Sequence, residues 1–182
     1  MVTSPFMCDI TECLYVRGVC PKMIIRKARM RDYKVFDQLQ IDSYGFILWS
    51  KYKIIRYMIK GFSFYLLYDD RDENVVGFIA VIYRRNDAYL ASIGISEQHK
   101  SKGYGQKAFD WWISEGVLRN KKTVTLHTSV QNQAMLTLAE RNGFKTINTI
   151  KDYYSSGYLD GDAVLLQKSL PVGHTSDYSC IS

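Results

Sequence analysis

One run of residues constrains the fold of this chain more than any other. The apolar stretch Tyr89-Leu90-Ala91-Ser92-Ile93-Gly94-Ile95 is followed by Glu97-Gln98-His99-Lys100-Ser101-Lys102-Gly103-Tyr104-Gly105-Gln106. Lys107-Ala108-Phe109-Asp110-Trp111-Trp112-Ile113 comes next. That order predicts a strand, a short basic glycine-rich loop and the start of an amphipathic helix. A helix start has unpaired N–H groups and a positive dipole end, so it attracts anions. Glycines let the backbone approach the ligand, and two lysines add charge, so a phosphate or pyrophosphate is expected. A plain glycine turn is the alternative. A Walker-type loop is excluded, because Gly105-Gln106-Lys107 lacks the closing Gly-Lys-Ser/Thr. A dinucleotide fingerprint is disfavoured: the third glycine is Ala108, and no flanking strand–helix–strand unit is expected.

The rest of the chain reads as a mixed α/β pattern. Residues 23–28 predict a first strand, and 31–40 a helix with Tyr33, Phe36 and Leu39 on one face. Tyr44-Gly45-Phe46 reads as a loop, and Ser50 as the cap of a second helix running to about residue 60. Residues 63–68 and 75–83 predict a hairpin. Residues 88–95 form the strand before the glycine loop, and 123–128 alternate as another strand. Residues 132–141 predict a helix stopped by Asn142-Gly143. Residues 144–153 and 163–167 predict the last two strands. The expected architecture is an α/β (α+β) sandwich, with a mostly antiparallel mixed sheet of about seven strands and about four helices. A leader of residues 1–22, a domain of 23–170 and a loose tail of 171–182 complete the expected organisation.

The 182 residues suffice for one domain with a sizeable core. No stretch approaches about 18 uncharged apolar residues, so no membrane helix is expected. The start lacks a signal-peptide pattern. The net charge of +6 suits a polyanionic ligand or an ordinary solvated surface. Nucleic acid is disfavoured as a partner, because the lysines form no long blocks. Cys8, Cys13, Cys20 and Cys180 lie outside the expected core without metal-ligand spacing, so no metal is expected. Free thiols in a cytoplasmic protein are expected, with a disulfide between the tails as the alternative. The oligomeric state stays open.

The basic-x-x-Gly-x-Gly loop before an amphipathic helix resembles the acetyl-CoA loop of the GNAT acetyltransferases. The element order resembles theirs over about residues 23–170. Asn132-Gln133-Ala134 with Leu138-Ala139-Glu140-Arg141-Asn142-Gly143-Phe144 is similar to the family's Asn-x-x-Ala…Leu-Tyr-Glu-x-x-Gly-Phe segment. Asp152-Tyr153-Tyr154…Asp160-Gly161-Asp162-Ala163-Val164 resembles the RimI-like and NatE-type protein N-terminal acetyltransferases, as do Leu126-His127 and Leu166-Gln167-Lys168-Ser169-Leu170.

The resemblance implies acetyl-CoA as cosubstrate and direct attack by a primary amine in a ternary complex. A protein or peptide N-terminus is the implied acceptor; a lysine or small amine, or a noncatalytic CoA-binding module, is the alternative. It implies that His127 is the base and that Tyr89 helps it hold a relaying water; both otherwise read as ordinary sheet residues. An imidazole (~6.5) and an α-amine (~8) are matched near neutral pH. The implied cofactor contacts are Ile93, Gly94, Ile95, Lys100, Ser101, Lys102, Gly103, Tyr104, Gly105, Gln106 and Asn132, with a strand bulge near Gly94. Asn132 also reads as a helix N-cap. The implied acceptor contacts are Tyr44, Ala91, Tyr153 and Tyr154. Ala139 departs from the family, which often has a tyrosine there as acid for the leaving thiolate. The departure predicts extra space beside the sulfur.

Overall fold

The computed structural model describes residues 23–71, 74–154 and 161–171. The expected leader, nearly all of the expected tail, the four cysteines and Asp160 lie outside the described residues. Seven strands form one sheet: β1 (Met23–Lys27), β2 (Phe62–Asp69), β3 (Val75–Tyr83), β4 (Asp87–Ile95), β5 (Thr123–Ser129), β6 (Lys145–Ile150) and β7 (Ala163–Ser169). Their spatial order is β1-β2-β3-β4-β5-β7-β6. Every neighbouring pair is antiparallel except β4 and β5. The four helices are α1 (Tyr33–Tyr44), α2 (Lys51–Ile59), α3 (Tyr104–Leu118) and α4 (Gln133–Arg141). β4, α3 and β5 therefore make the strand–helix–strand unit that the sequence reading does not anticipate.

Two cores explain why β2 and β3 are apolar almost throughout. Phe64 and Leu66 of β2 join Phe78 and Ala80 of β3, Phe36 and Leu39 of α1 and Ile54 of α2 on one face. Tyr65, Leu67, Ile79 and Val81 join Ala108, Phe109 and Trp112 of α3 on the other. A strand covered on both faces loses the polar alternation. α3 buries Tyr104, Ala108, Phe109, Trp112 and Gly116, one stripe at helical spacing. Along β5, Val124 and Leu126 face that core, while His127 is half-buried.

Two elements, α1 and β6, differ in their bounds from expectation for local reasons. α1 begins after a 3₁₀ turn and runs on to Tyr44, where Gly45 (φ 79°) stops it in the left-handed region. Tyr44 thus sits on a helix rather than in a loop. Ser50 takes the N-cap position of α2, but its side chain makes no capping bond. β6 ends at Ile150, because Asp152 adopts φ 50° and its N–H donates to Asp162 Oδ1 at 3.1 Å. Tyr153 and Tyr154 therefore lie in a turn.

Candidate active site

The site forms where β4 and β5 part. Their parallel pairing runs from Asp87 opposite Thr123 to Leu90 opposite Leu126 and then stops. The bulge that bends β4 is at Ala91, not near Gly94: Ala80 pairs with Ser92 and Val81 with Leu90. It turns Ala91 and Ser92 to one face, since Ala91 packs on the α1 core and Ser92 Oγ lies 2.9 Å from Tyr44 Oη. Gly94 has a different reason to be glycine. A Cβ there would meet Phe78 at 2.5 Å and Ser43 Oγ at 2.9 Å.

Backbone direction past the bulge follows from alternation. Ser96 N–H donates to Val76 O at 2.9 Å, so Gly94, two residues back, also faces β3. Ile93 and Ile95 then turn their N–H and C=O groups away from β3, into the gap. Tyr44 Oη donates to the Ile93 carbonyl at 2.6 Å, which fixes that peptide unit. Burial pushes the Tyr44 hydroxyl up to about 12, so it stays a donor.

The gap is a cleft of about 330 Å³, lined by residues of β4 and β5 together with Tyr44, Asn132, Met135 and Tyr154. At its edge His127 Nδ1 lies 3.1 Å from Tyr89 Oη. Tyr153 stacks on the imidazole, with centroids 5.1 Å apart and planes 4° apart. Tyr154 meets Tyr153 edge-on at 5.0 Å. The Arg84 guanidinium lies 4.6 Å from the centre of the Tyr89 ring. Burial, then the Arg84 charge, lowers the His127 pKa below its usual 6.5, so the ring is neutral at pH 7. Tyr89 is raised well above the usual phenol range, by burial first and then by Tyr153 and Tyr154. Burial pushes Tyr154 up to about 12, and Tyr153 adds to it.

A second cleft, of about 540 Å³, lies between the glycine loop and α4. Ser101, Gly103, Gly105 and Gln106 face Gln133, Ala134, Thr137, Leu138 and Arg141 across it. Ser101 (φ 59°) and Gly103 (φ 87°) are both left-handed, and Gly103 is the N-cap of α3. The Lys107 N–H closes the first turn on Gly103 O at 3.1 Å, so the N–H groups of residues 104–106 have no helical acceptor. Neutral donors and one guanidinium thus surround this cleft, as an anionic ligand requires.

The sequence-derived set is not uniform. Tyr104 turns its ring into the core and donates to Asp69, itself paired with Arg71 at 2.7 Å, leaving only its backbone N–H at the loop. The Lys100 ammonium is tied to Glu97 and to Ser43 O rather than held over the loop. Lys102 is exposed and lines neither cleft. Asn132 does cap α4, its Oδ1 accepting from Met135 N–H at 3.1 Å, and it lines the first cleft. Ala139 is fully buried in the α3-side core and borders neither cleft, so it opens no room there. Met135, one turn earlier on the same helix face, borders the cleft instead. Sequence reasoning missed Arg141, although Gln133, Thr137 and Arg141 recur every four residues on one helix face. It also missed Arg84, for which no sequence signal exists. Among the described residues, no group of three or more His, Cys, Asp or Glu side chains is placed to hold a metal ion, and no helix is long and apolar enough to cross a membrane.

Known proteins share this architecture. The ribosomal-protein-S18-alanine N-acetyltransferase of Escherichia coli superposes with a TM-score of 0.74 at 18% identity, over 86% of this chain and 99% of that one. The spermidine N-acetyltransferase of Vibrio cholerae, in complex with CoA and spermine, gives 0.67 at 16% identity, over 81% and 95%. An IAA acetyltransferase from Bacillus cereus gives 0.66 at 17%, over 82% and 100%. At these identities the likeness is one of fold. No curated protein sequence matches the chain significantly. The family model of the acetyltransferase (GNAT) family matches residues 26–144, well over half of the sequence. The parted strands and the helix start thus have their reason: this chain belongs to the GNAT family and is an acetyl-CoA-dependent N-acetyltransferase.

Proposed function

We propose that the acceptor is the α-amine of a protein N-terminus and that Tyr89 and His127 handle its proton. The observation that carries this reading is the aromatic rim. Tyr153 lies flat on His127 yet is 45% exposed, so the site opens outward instead of closing around a small amine. An extended chain entering there meets Tyr153 and Tyr154 on one side, and Tyr44 and Ala91 on the other. When bound, acetyl-CoA supplies the thioester carbon that the amine attacks. Only a free amine attacks, so a base is needed. With Nδ1–H donating to Tyr89 Oη, His127 Nε2 is the basic nitrogen, and the Tyr89 proton orients a water between ring and amine. The Ile93 and Ile95 N–H groups, facing the gap, are donors for the developing oxyanion. The loop N–H groups and Arg141 hold the pyrophosphate, and Asn132 fixes the start of α4 beside it. This reading goes with a cytoplasmic enzyme.

Polyamine acetylation is the competing reading that the fold neighbours raise. CoA release with a panel of N-terminally free peptides, lysine-only peptides blocked at the N-terminus, and spermidine separates the acceptors. His127→Ala is expected to lower turnover by about 10²–10⁴-fold, and Tyr89→Phe by a smaller factor. Unchanged rates in both variants refute the dyad. Turnover with spermidine and with none of the peptides refutes the N-terminal reading.

A further inference from the structure

Arg84 is the cation nearest the reacting centre that the chemistry above leaves unused. It opens the turn between β3 and β4, and the turn is held firmly. Arg84 N–H donates to Asp87 O at 2.8 Å, and Lys121 Nζ donates to Arg84 O at 2.8 Å. The guanidinium lies over Tyr89 and is close enough to His127 to depress its protonation. Asp87 forms an ion pair with it, Arg84 Nη1 to Asp87 Oδ2 at 3.8 Å, without a hydrogen bond. The hydrogen bonds that Asp87 accepts come from hydroxyls, Thr123 Oγ1 at 2.9 Å and Thr125 Oγ1 at 2.6 Å. The Arg84 side chain is 56% exposed, and among the described residues no group accepts a hydrogen bond from it. A planar fork whose donors make no hydrogen bond, held by one long ion pair beside an open site, matches a carboxylate.

Resting on the N-terminal reading above, we propose that Arg84 selects acceptors with an acidic residue just after the reacting one. An extended peptide advances about 3.5 Å per residue. An amine held at His127 and Tyr89 therefore brings the second or third side chain to a guanidinium one ring away. The same charge repels lysine at those positions and repels polyamines.

The test compares peptides identical except for Asp, Ala or Lys at positions two and three, with CoA release as readout at low salt. One exposed charge pair contributes about three- to five-fold. Opposite charges should therefore separate Asp from Lys peptides by about ten-fold in kcat/KM, through KM, and the gap should shrink as salt rises. Arg84→Gln should bring the Asp-to-Lys ratio to about one, Arg84→Lys should restore part of it, and Arg84→Glu should invert it. A merely structural role would lower all three peptides together and leave the ratio intact. Circular dichroism of each variant establishes that it is folded. Peptides acetylated without regard to charge, or a ratio unchanged in Arg84→Gln, overturn the inference and leave the N-terminal reading standing. Acetylation of spermidine alone overturns both.

Discussion

His127 is held between two influences that act in the same direction. Burial penalises the imidazolium, and the Arg84 charge across the Tyr89 ring penalises it further. The unfolded chain therefore binds a proton on this residue at a higher pH than the folded one. The stability contributed by the neutral ring is present above pH 6.5 and is lost as pH falls through the lower, folded value. Activity should follow the same titration. The acidic limb of kcat/KM is expected below pH 6.5, and Arg84→Gln should move it upward. A limb above 6.5 in the unaltered enzyme would contradict the environment described for the ring. Tyr89 stays protonated throughout, so any alkaline change belongs to the acceptor amine. Tyr89 and His127 were legible in the sequence, because strand alternation and a family motif mark them. Arg84 was not. Its position beside them depends on a tight turn and on the register of β4 against β5, and neither leaves a pattern in the residues.

At the scale of elements, the acceptor side depends on how α1 hands over to α2. Tyr44 ends α1, and the chain then crosses a loop to Trp49. Gln40 is the clamp, 1% exposed, with Nε2 donating to Trp49 O at 3.1 Å and Oε1 accepting from Trp49 N–H at 2.7 Å. Gln40→Leu keeps the volume but strands a buried N–H and a buried carbonyl, each costing about 1–3 kcal/mol. The denaturant midpoint should correspond to a loss of about 3 kcal/mol, with KM for the acceptor rising because Tyr44 loses its support. A loss below about 0.5 kcal/mol would mean that water replaces both bonds. The stop of α4 is readable, because Asn142 and Gly143 are local signals, whereas the end of α1 is not: the apolar pattern fades at Gln40, but the helix runs to Tyr44 before Gly45 ends it. The bulge is not legible, since Gly94 is the conspicuous residue whereas the pairing shifts at Ala91. A bulge is a property of two strands, and one strand's sequence does not determine it.

For the whole molecule, the parting of β4 and β5 weakens the middle of the sheet. β1–β4 with α1 and α2 lie on one side of the gap, and β5–β7 with α4 on the other. From Asp87 opposite Thr123 to Leu90 opposite Leu126 the strands pair normally; beyond that, among the described residues, no ladder joins them, and the α3 crossover connects the two sides. A ligand that enters the gap and continues across the glycine loop to Arg141 touches both sides, and it does so only in the folded protein. It should act as a missing piece of sheet and raise stability by mass action. CoA at about 100 times its Kd adds about 2.7 kcal/mol. For a chain of this length that corresponds to a rise in Tm of about 5–10 °C. Arg141 supplies the cation of the loop cleft, so Arg141→Ala should weaken CoA about ten-fold and, at the same concentration, halve the rise. Lys100→Ala should change it little, because that ammonium is already committed to Glu97. A thermal-shift titration of the three proteins decides the matter. If Lys100→Ala and Arg141→Ala exchange these effects, the anion is held by the loop lysine, and the cleft between loop and α4 is not its seat.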